Sequence, residues 1–287
     1  MFRLYRFLIP VAIAALMVSI SCRRGPARTT EVVAVSTGKV PLAPQDPAWE
    51  RAPEHLARLL PQDQVEPRLM KGSTPEVLVR VLTDGSDVAF RLEWQDPTLD
   101  DIAGPGRFVD GCGVQLPKRI EATPPDPQMG STGHPVEITF WRADWQAVVN
   151  GRGDTIRDLY PNVTVDRYPF DAASLDPGSA AQKEMALRYS PARALGNRRS
   201  GPREVPVDDM IAEGPGTLTP APATTSAGQG LRSKNGWTVV LKRRLPADLS
   251  PCTRSQVAFA VWEGSHKEVG ARKMRTGWIP LLREGEK

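Results

Sequence analysis

Residues 77–97 read VLVRVLTDGSDVAFRLEWQDP. Two runs of β-forming residues flank Asp84-Gly85, a dipeptide that favours the tight turn of a hairpin. Val77, Val79 and Val81 share one face of the first strand, and Val88, Phe90 and Leu92 share one face of the second. Alternation of this kind suits a sheet with one side buried.

The same pattern extends in both directions. TEVVAVSTGKVPL (30–42) reads as a first strand with Val32 and Val33 near its centre. PAWERAPEHLARLL (47–60) reads as a short helical-turn region broken by Pro53. Further strands are expected at 111–117 (GCGVQLP), 134–145 (HPVEITFWRADW), 236–245 (GWTVVLKRRL), 256–264 (QVAFAVWEG) and 275–282 (RTGWIPLL), at least eight in all. With 28 Pro and 24 Gly the chain is too heavily punctuated for long helices, so an all-β sandwich with long loops and a few short helices is the expected fold. Between about 148 and 205 the alternation is lost, which marks a loop insertion with one helix expected at AAQKEMALRY; a second loose tract covers 214–230.

The 287 residues, 40% hydrophobic and 24% charged, suffice for one sizeable core. Of the formal charge of +4, much is local: Arg3, Arg6, Arg23, Arg24 and Arg28 all fall in the first 28 residues. The rest of the chain has no basic helix and no Lys/Arg cluster interleaved with aromatics, which argues against nucleic acid as a partner.

Residues 1–22 have the cationic start, the apolar run LIPVAIAALMVSI and the small-residue zone of a signal peptide, so the protein is expected to be exported and periplasmic. Cys22 directly after the apolar run resembles a lipobox cysteine, although Ser19 stands where that pattern prefers an aliphatic residue. Lipidation at Cys22 with membrane anchoring, ordinary cleavage nearby and an uncleaved anchor all remain open. Residues 23–40 are then a linker and first strand, and 41–283 the sandwich domain. Cys112 and Cys252, 140 positions apart, are either one disulfide or two unpaired thiols, and are too few for a metal cage.

The inventory of motifs excludes many enzymes. The chain contains no GxSxG, HExxH, phosphate-binding glycine loop or GxGxxG, and its three histidines, His55, His134 and His266, are too few for a multi-histidine metal site. Asp100-Asp101 and Asp208-Asp209 read as turn-capping pairs on a wet surface. A haem makes smaller demands: one axial donor on each side of the iron and an apolar slot between the sheets. Without CxxCH it would be b-type, held without covalent bonds by axial ligands such as a Met thioether or a Lys that has lost its proton.

An ordered series of segments carries a resemblance: DGSDVAFRLEWQDP (84–97), DGCGVQLP (110–117), PDPQMGSTGHPVEITFWRADW (125–145), EGPGTLT (213–219), GWTVVLKRRL (236–245) and VAFAVWEGSHKEVGARKMRTGW (257–278). Together they resemble the haem b-binding γ-subunits of the type II dimethyl-sulfoxide-reductase family, whose members act on ethylbenzene, dimethyl sulfide, selenate, chlorate and nitrite. The resemblance covers roughly residues 40–283. It implies an immunoglobulin-like or DOMON-like haem-binding β-sandwich with Met and Lys axial ligands, here Met129 and Lys273, with Lys267 and His266 as alternatives to the lysine. Trp141, Trp262 and Trp278 are expected in the core, or less simply along the haem edge. Cys112 departs from the pattern, standing where a small apolar residue is expected.

The implied role is non-catalytic. One b-type haem would relay electrons between the iron–sulfur β-subunit of a molybdenum enzyme, whose molybdopterin cofactor lies in an α-subunit, and an external soluble or membrane cytochrome c. Two rivals remain: an exported carbohydrate-binding or adhesion module without cofactor, with solvent-facing Trp on one sheet, and a haem sensor or carrier lipoprotein without partner subunits.

Overall fold

The computed structural model describes residues 29–153, 156–164, 176, 179–189, 203–245 and 254–284. In chain order the strands are β1 (Val32–Ser36), β2 (His55–Arg58), β3 (Leu60–Pro61), β4 (Glu76–Thr83), β5 (Asp87–Gln95), β6 (Gly111–Pro117) and β7 (Val136–Arg142). They continue with β8 (Val207–Ala212), β9 (Thr219–Pro220), β10 (Ala227–Arg232), β11 (Gly236–Arg244), β12 (Arg254–Trp262), β13 (Met274–Arg275) and β14 (Ile279–Arg283). Three short helices, α1 (Ala143–Val149), α2 (Ile156–Leu159) and α3 (Ala180–Tyr189), complete the described elements together with two single 3-10 turns. The all-β expectation is met.

The strands form two layers joined by a shared strand. One layer runs β10-β11-β5-β4-β1-β14, and the other runs β12-β6-β7-β8-β9. The first part of β12 pairs with β14 through Arg254–Val257, and the remainder pairs with β6 through Ala258–Trp262. One strand thus passes from the first layer into the second.

The quoted hairpin forms with the expected faces: Val77, Val79, Val81, Val88, Phe90 and Leu92 all enter the main core. Pairing closes at Thr83 opposite Val88, so the connection is the four residues 84–87 rather than the dipeptide alone. Asp84 Oδ1 accepts the N–H groups of Ser86 and Asp87 at 3.0 and 2.8 Å, and Gly85 has φ +88°, a conformation that costs glycine nothing.

Aromatic side chains fill the space between the layers. Phe90 of β5 meets Phe259 of β12 edge-on at 6.2 Å, and Trp141 of β7 meets Trp94 at 6.4 Å and Trp237 at 5.1 Å. Fully burying a side chain of this size contributes about 1.5–3 kcal/mol. The interior is therefore a packed core.

Several local expectations change in the tertiary context. Residues 55–58, read as part of a helical turn, form β2 because they pair antiparallel with β4; only Pro47–Arg51 makes a helical turn, capped by Asp46. The strand expected over 134–145 ends at Arg142, where α1 begins. β1 is an inner strand, paired in parallel with both β4 and β14, so residues 32–36 belong to the sandwich itself. β10 begins within the tract read as loose, β8 forms in a stretch for which no strand was expected, and Asp208-Asp209 lies on β8 instead of in a turn. Residues 1–28, including the signal segment and Cys22, lie outside the described residues, as do Cys252 and much of 148–205.

Candidate functional site

Strand alternation on the second layer sends one set of side chains into the core and the other outward. Cys112, Val114, Trp141, Val257, Phe259 and Val261 point inward. Their neighbours Gly113, Gln115, Ile138, Phe140, Ala258, Ala260 and Trp262 line a cleft of about 440 Å³ on the opposite side of that layer. Gly113 faces Phe140 on one side and Ala260 on the other, so small residues form a low floor between larger ones. Loop residues from 62–67, 107–109, 127–129, 215–218 and 268–273 complete the walls.

This placement corrects one expectation. A slot between the sheets was anticipated; among the described residues, tryptophans and phenylalanines fill the interior, and the cleft opens on the outward face of the second layer.

Met129 lines the cleft from the loop between β6 and β7. Its backbone is left-handed, φ +75°, and it is followed by Gly130 at +80°. For a non-glycine residue this conformation costs about 1–2 kcal/mol, so the loop is held by its surroundings. Those surroundings are explicit. Gly214 N–H donates to the Met129 carbonyl at 2.8 Å, Gly130 N–H to Asp126 O at 2.8 Å, and the Gln115 amide to Pro127 O at 3.0 Å. Trp278 donates its indole N–H to Pro125 O at 2.6 Å. A Cβ on Gly130 would lie 2.8 Å from the His134 carbonyl, so only glycine fits beside Met129.

Lys273 lines the same cleft, just before β13. Its ammonium stands 5.2 Å from the ring centre of Trp262 and makes no ion pair among the described residues. Burial, reinforced by repulsion from Arg275, lowers its pKa from the ordinary lysine value to about 8. A lysine so placed gives up its proton readily, and a neutral amine is an electron-pair donor.

The two alternatives lie elsewhere. Lys267 is exposed with φ +60° at the end of the 3-10 turn Gly264–His266, and His266 is exposed with Nε2 3.4 Å from Glu263. Neither lines the cleft. The structure thus brings Met129 and Lys273 together and leaves Lys267 and His266 outside.

Of the three tryptophans expected in the core, Trp141 is buried there. Trp262 instead forms part of the cleft wall, held by an N–H bond to Gly270 O at 3.0 Å and edge contact with Phe140 at 4.9 Å. Cys112, the residue that departs from the family pattern, is a fully buried core residue of β6 whose thiol burial pushes well up; its possible partner Cys252 lies outside the described residues. His55, His134 and His266 are dispersed over β2, the loop before β7 and the turn after β12.

Glu268 escaped the sequence reading. It is 1% exposed on the cleft wall, accepts the Glu263 N–H at 3.1 Å, and burial raises its carboxyl pKa. Nothing in GSHKEVG distinguishes it from a solvated turn residue. The floor, by contrast, had a signal: positions 113, 258 and 260, all on the face opposite the core, are Gly or Ala.

The chain matches the model of a family described as ethylbenzene dehydrogenase over residues 46–274. A protein of Haloferax mediterranei assigned as a respiratory nitrate reductase heme subunit (ORF7) is 26% identical over 260 residues, covering 88% of this chain and 72% of its own. Chlorate reductase subunit gamma of Ideonella dechloratans is 22% identical over 263 residues, covering 88% and 84%. Among solved structures, a carbohydrate binding module family 9 from Caldicellulosiruptor kristjanssonii in complex with cellotriose aligns with a TM-score of 0.44 at 11% identity, covering 89% of this chain and 94% of that one.

Proposed function

Because this chain belongs to the ethylbenzene dehydrogenase family, we propose that it is a non-catalytic electron-transfer subunit holding one b-type haem in the cleft between Met129 and Lys273. The observation that carries this reading is the presence of a thioether and a readily deprotonated amine, 144 residues apart in sequence, on the walls of one largely apolar cleft. The named relatives, a heme subunit and a gamma subunit of reductases, support the same role.

The residues present suit such a group. The cleft falls within the range of about 300–1,000 Å³ typical of cofactor sites. Gly113, Ala258 and Ala260 leave a flat floor, Trp262 and Phe140 offer aromatic surface, and Arg107 and Arg275 bring positive charge suited to carboxylate groups on a ligand. Lys273 would release the proton at Nζ and bind through the nitrogen lone pair. Met129 would bind through its sulfur, which favours the reduced metal and raises the potential. The Trp262 ring stands beside the Lys273 amine, 5.2 Å from its centre.

Bound there, the haem would supply one-electron relay between the iron–sulfur subunit of a molybdenum oxidoreductase and an external cytochrome c-like partner. The molybdopterin and the substrate would then reside on the partner α-subunit. The cationic start and apolar run of residues 1–22 support a periplasmic location, with a lipid on Cys22 as the tether to a membrane.

Visible spectra of the purified chain, oxidised and dithionite-reduced, test the reading. A low-spin b-type spectrum is expected, turning high-spin or disappearing in Met129→Ala and in Lys273→Ala while Lys267→Ala is unaffected. A colourless protein from cells supplied with haem overturns it.

A further inference from the structure

Outside the cleft, three carboxylates converge in the interior. Asp96 follows the end of β5, Asp110 precedes β6 and Glu263 follows β12, and one oxygen of each lies within 4.8 Å of the others. Asp96 and Asp110 are fully buried and Glu263 is 5% exposed.

Most of their oxygens are held in place by donors. Asp110 Oδ1 accepts the Gly264 N–H at 2.9 Å, and its Oδ2 accepts the Trp237 indole and the Asp100 N–H, both at 3.0 Å. Asp96 Oδ1 accepts the Thr98 N–H at 2.9 Å and its hydroxyl at 3.2 Å. Thr98 and Ser265 hydroxyls also reach Glu263 Oε1, and His266 Nε2 is 3.4 Å from Glu263 Oε2.

The exception is Asp96 Oδ2, which is buried without a hydrogen-bond partner among the described residues. The cation whose field reaches Asp96 is Arg232, but its guanidinium donates to the backbone carbonyls of Asp96 and Thr98 at 2.8 and 2.7 Å, not to a carboxylate. Three adjacent buried carboxylates cannot all stay charged without a counter-charge among them. The uncommitted oxygen marks where that charge is missing.

We propose that Asp96, Asp110 and Glu263 form a divalent-cation site of calcium type. The donors are all oxygen, three carboxylates with the hydroxyls of Thr98 and Ser265 close by, which selects a hard cation over zinc or copper. They come from three separate segments in no regular array. Calcium tolerates such irregular coordination, whereas magnesium demands an octahedron and retains waters that a buried site has little room for.

The position gives the ion a structural task. Phe108 and Val109, just before Asp110, and Trp262, just before Glu263, all line the cleft. An ion there ties together the ends of β5, β6 and β12 and braces one wall of the cleft. Burial as the leading cause pushes Asp110 up to about 7, so protons are the competitor for this role.

Terbium luminescence on the full chain, stripped with EGTA, tests the proposal. The Trp237 indole lies against Asp110, close enough to sensitise a terbium ion held by the trio. Excitation at tryptophan wavelengths is expected to give emission saturating at one equivalent. Calcium should displace it at concentrations at least about tenfold lower than magnesium, and should raise the Tm of the stripped chain. Asp96→Asn, and independently Glu263→Gln, should weaken binding at least about tenfold. Asp208→Asn, which disturbs an acid paired with Arg203 on β8, should leave it unchanged. Absence of sensitised emission, together with a Tm indifferent to calcium, overturns the proposal and leaves protons as the neutralising charge. Equal loss of emission in Asp208→Asn overturns it too, since binding would then be adventitious.

Discussion

The Trp278 indole donates to the Pro125 carbonyl at 2.6 Å, tying the segment that leads into β14 to the loop that carries Met129. The two residues are far apart in sequence, and the bond spans the stretch between β13 and the β6–β7 connection. Lys273 is five residues before Trp278, so the two proposed haem donors are positioned by segments that hold each other.

Trp278→Phe keeps the aromatic ring and removes the donor. A loss of about 1 kcal/mol in stability is expected, together with a partial shift of the bound haem to high spin. Spectra and denaturant unfolding of the same sample check this. Unchanged spin state with lowered stability would assign the bond a purely structural role.

Met129→Gly separates conformation from chemistry. Glycine adopts φ +75° without strain, so the haem-free chain should be no less stable than the parent, and up to about 1–2 kcal/mol more stable. The low-spin spectrum should nevertheless be lost, because the thioether is gone. Denaturant midpoints of the haem-free proteins, beside spectra of the haem-loaded ones, measure both effects.

Lys273 is charged in the unfolded chain up to the ordinary lysine range but loses its proton in the folded chain at about 8. Over that interval the unfolded state binds more protons, so folding stability of the haem-free chain should rise with pH from about 8 toward that range. Lys273→Met should be the more stable protein at neutral pH, and the difference should shrink as pH rises through the interval. A pH series of unfolding curves for both proteins gives the answer; parallel curves would contradict the buried-lysine account.

Gly230→Ala tests the core independently of the cleft. The added Cβ would lie 2.3 Å from Cζ2 of Trp141, whose indole bonds Gln146 at 3.1 Å. Displacing this tryptophan from between Trp94 and Trp237 should cost about 1–3 kcal/mol, read as a lowered unfolding midpoint.

Metabolic labelling with a fatty acid tests the tether. Label on the wild-type chain that is absent from Cys22→Ser, with both recovered outside the cytoplasm, is the expected pattern. Export without label would leave ordinary cleavage or an uncleaved apolar anchor.

Much of the sheet was legible because its strands carry their own pattern. Glu76–Gln95, Gly111–Pro117 and Gly236–Arg244 alternate apolar residues or run apolar between turn residues, and they form where the pattern places them. VDDMIA and AGQGLR lack that pattern and become β8 and β10 only because β7 and β11 offer edges to pair with. His55–Arg58 likewise follows its partner β4 rather than its local helical leaning.

The sequence by itself determined the all-β class and the hairpin faces, and the ordered family segments suggested Met129 and Lys273 as a pair, because alternation and motif order are properties of the chain read in one dimension. Only the tertiary structure decided on which side of which layer that pair meets, that Lys267 and His266 fall outside, and that Asp96, Asp110 and Glu263 converge. Those outcomes depend on which strand lies beside which, on aromatic side chains already filling the interior, and on the field that buried charges exert on one another once their segments are packed.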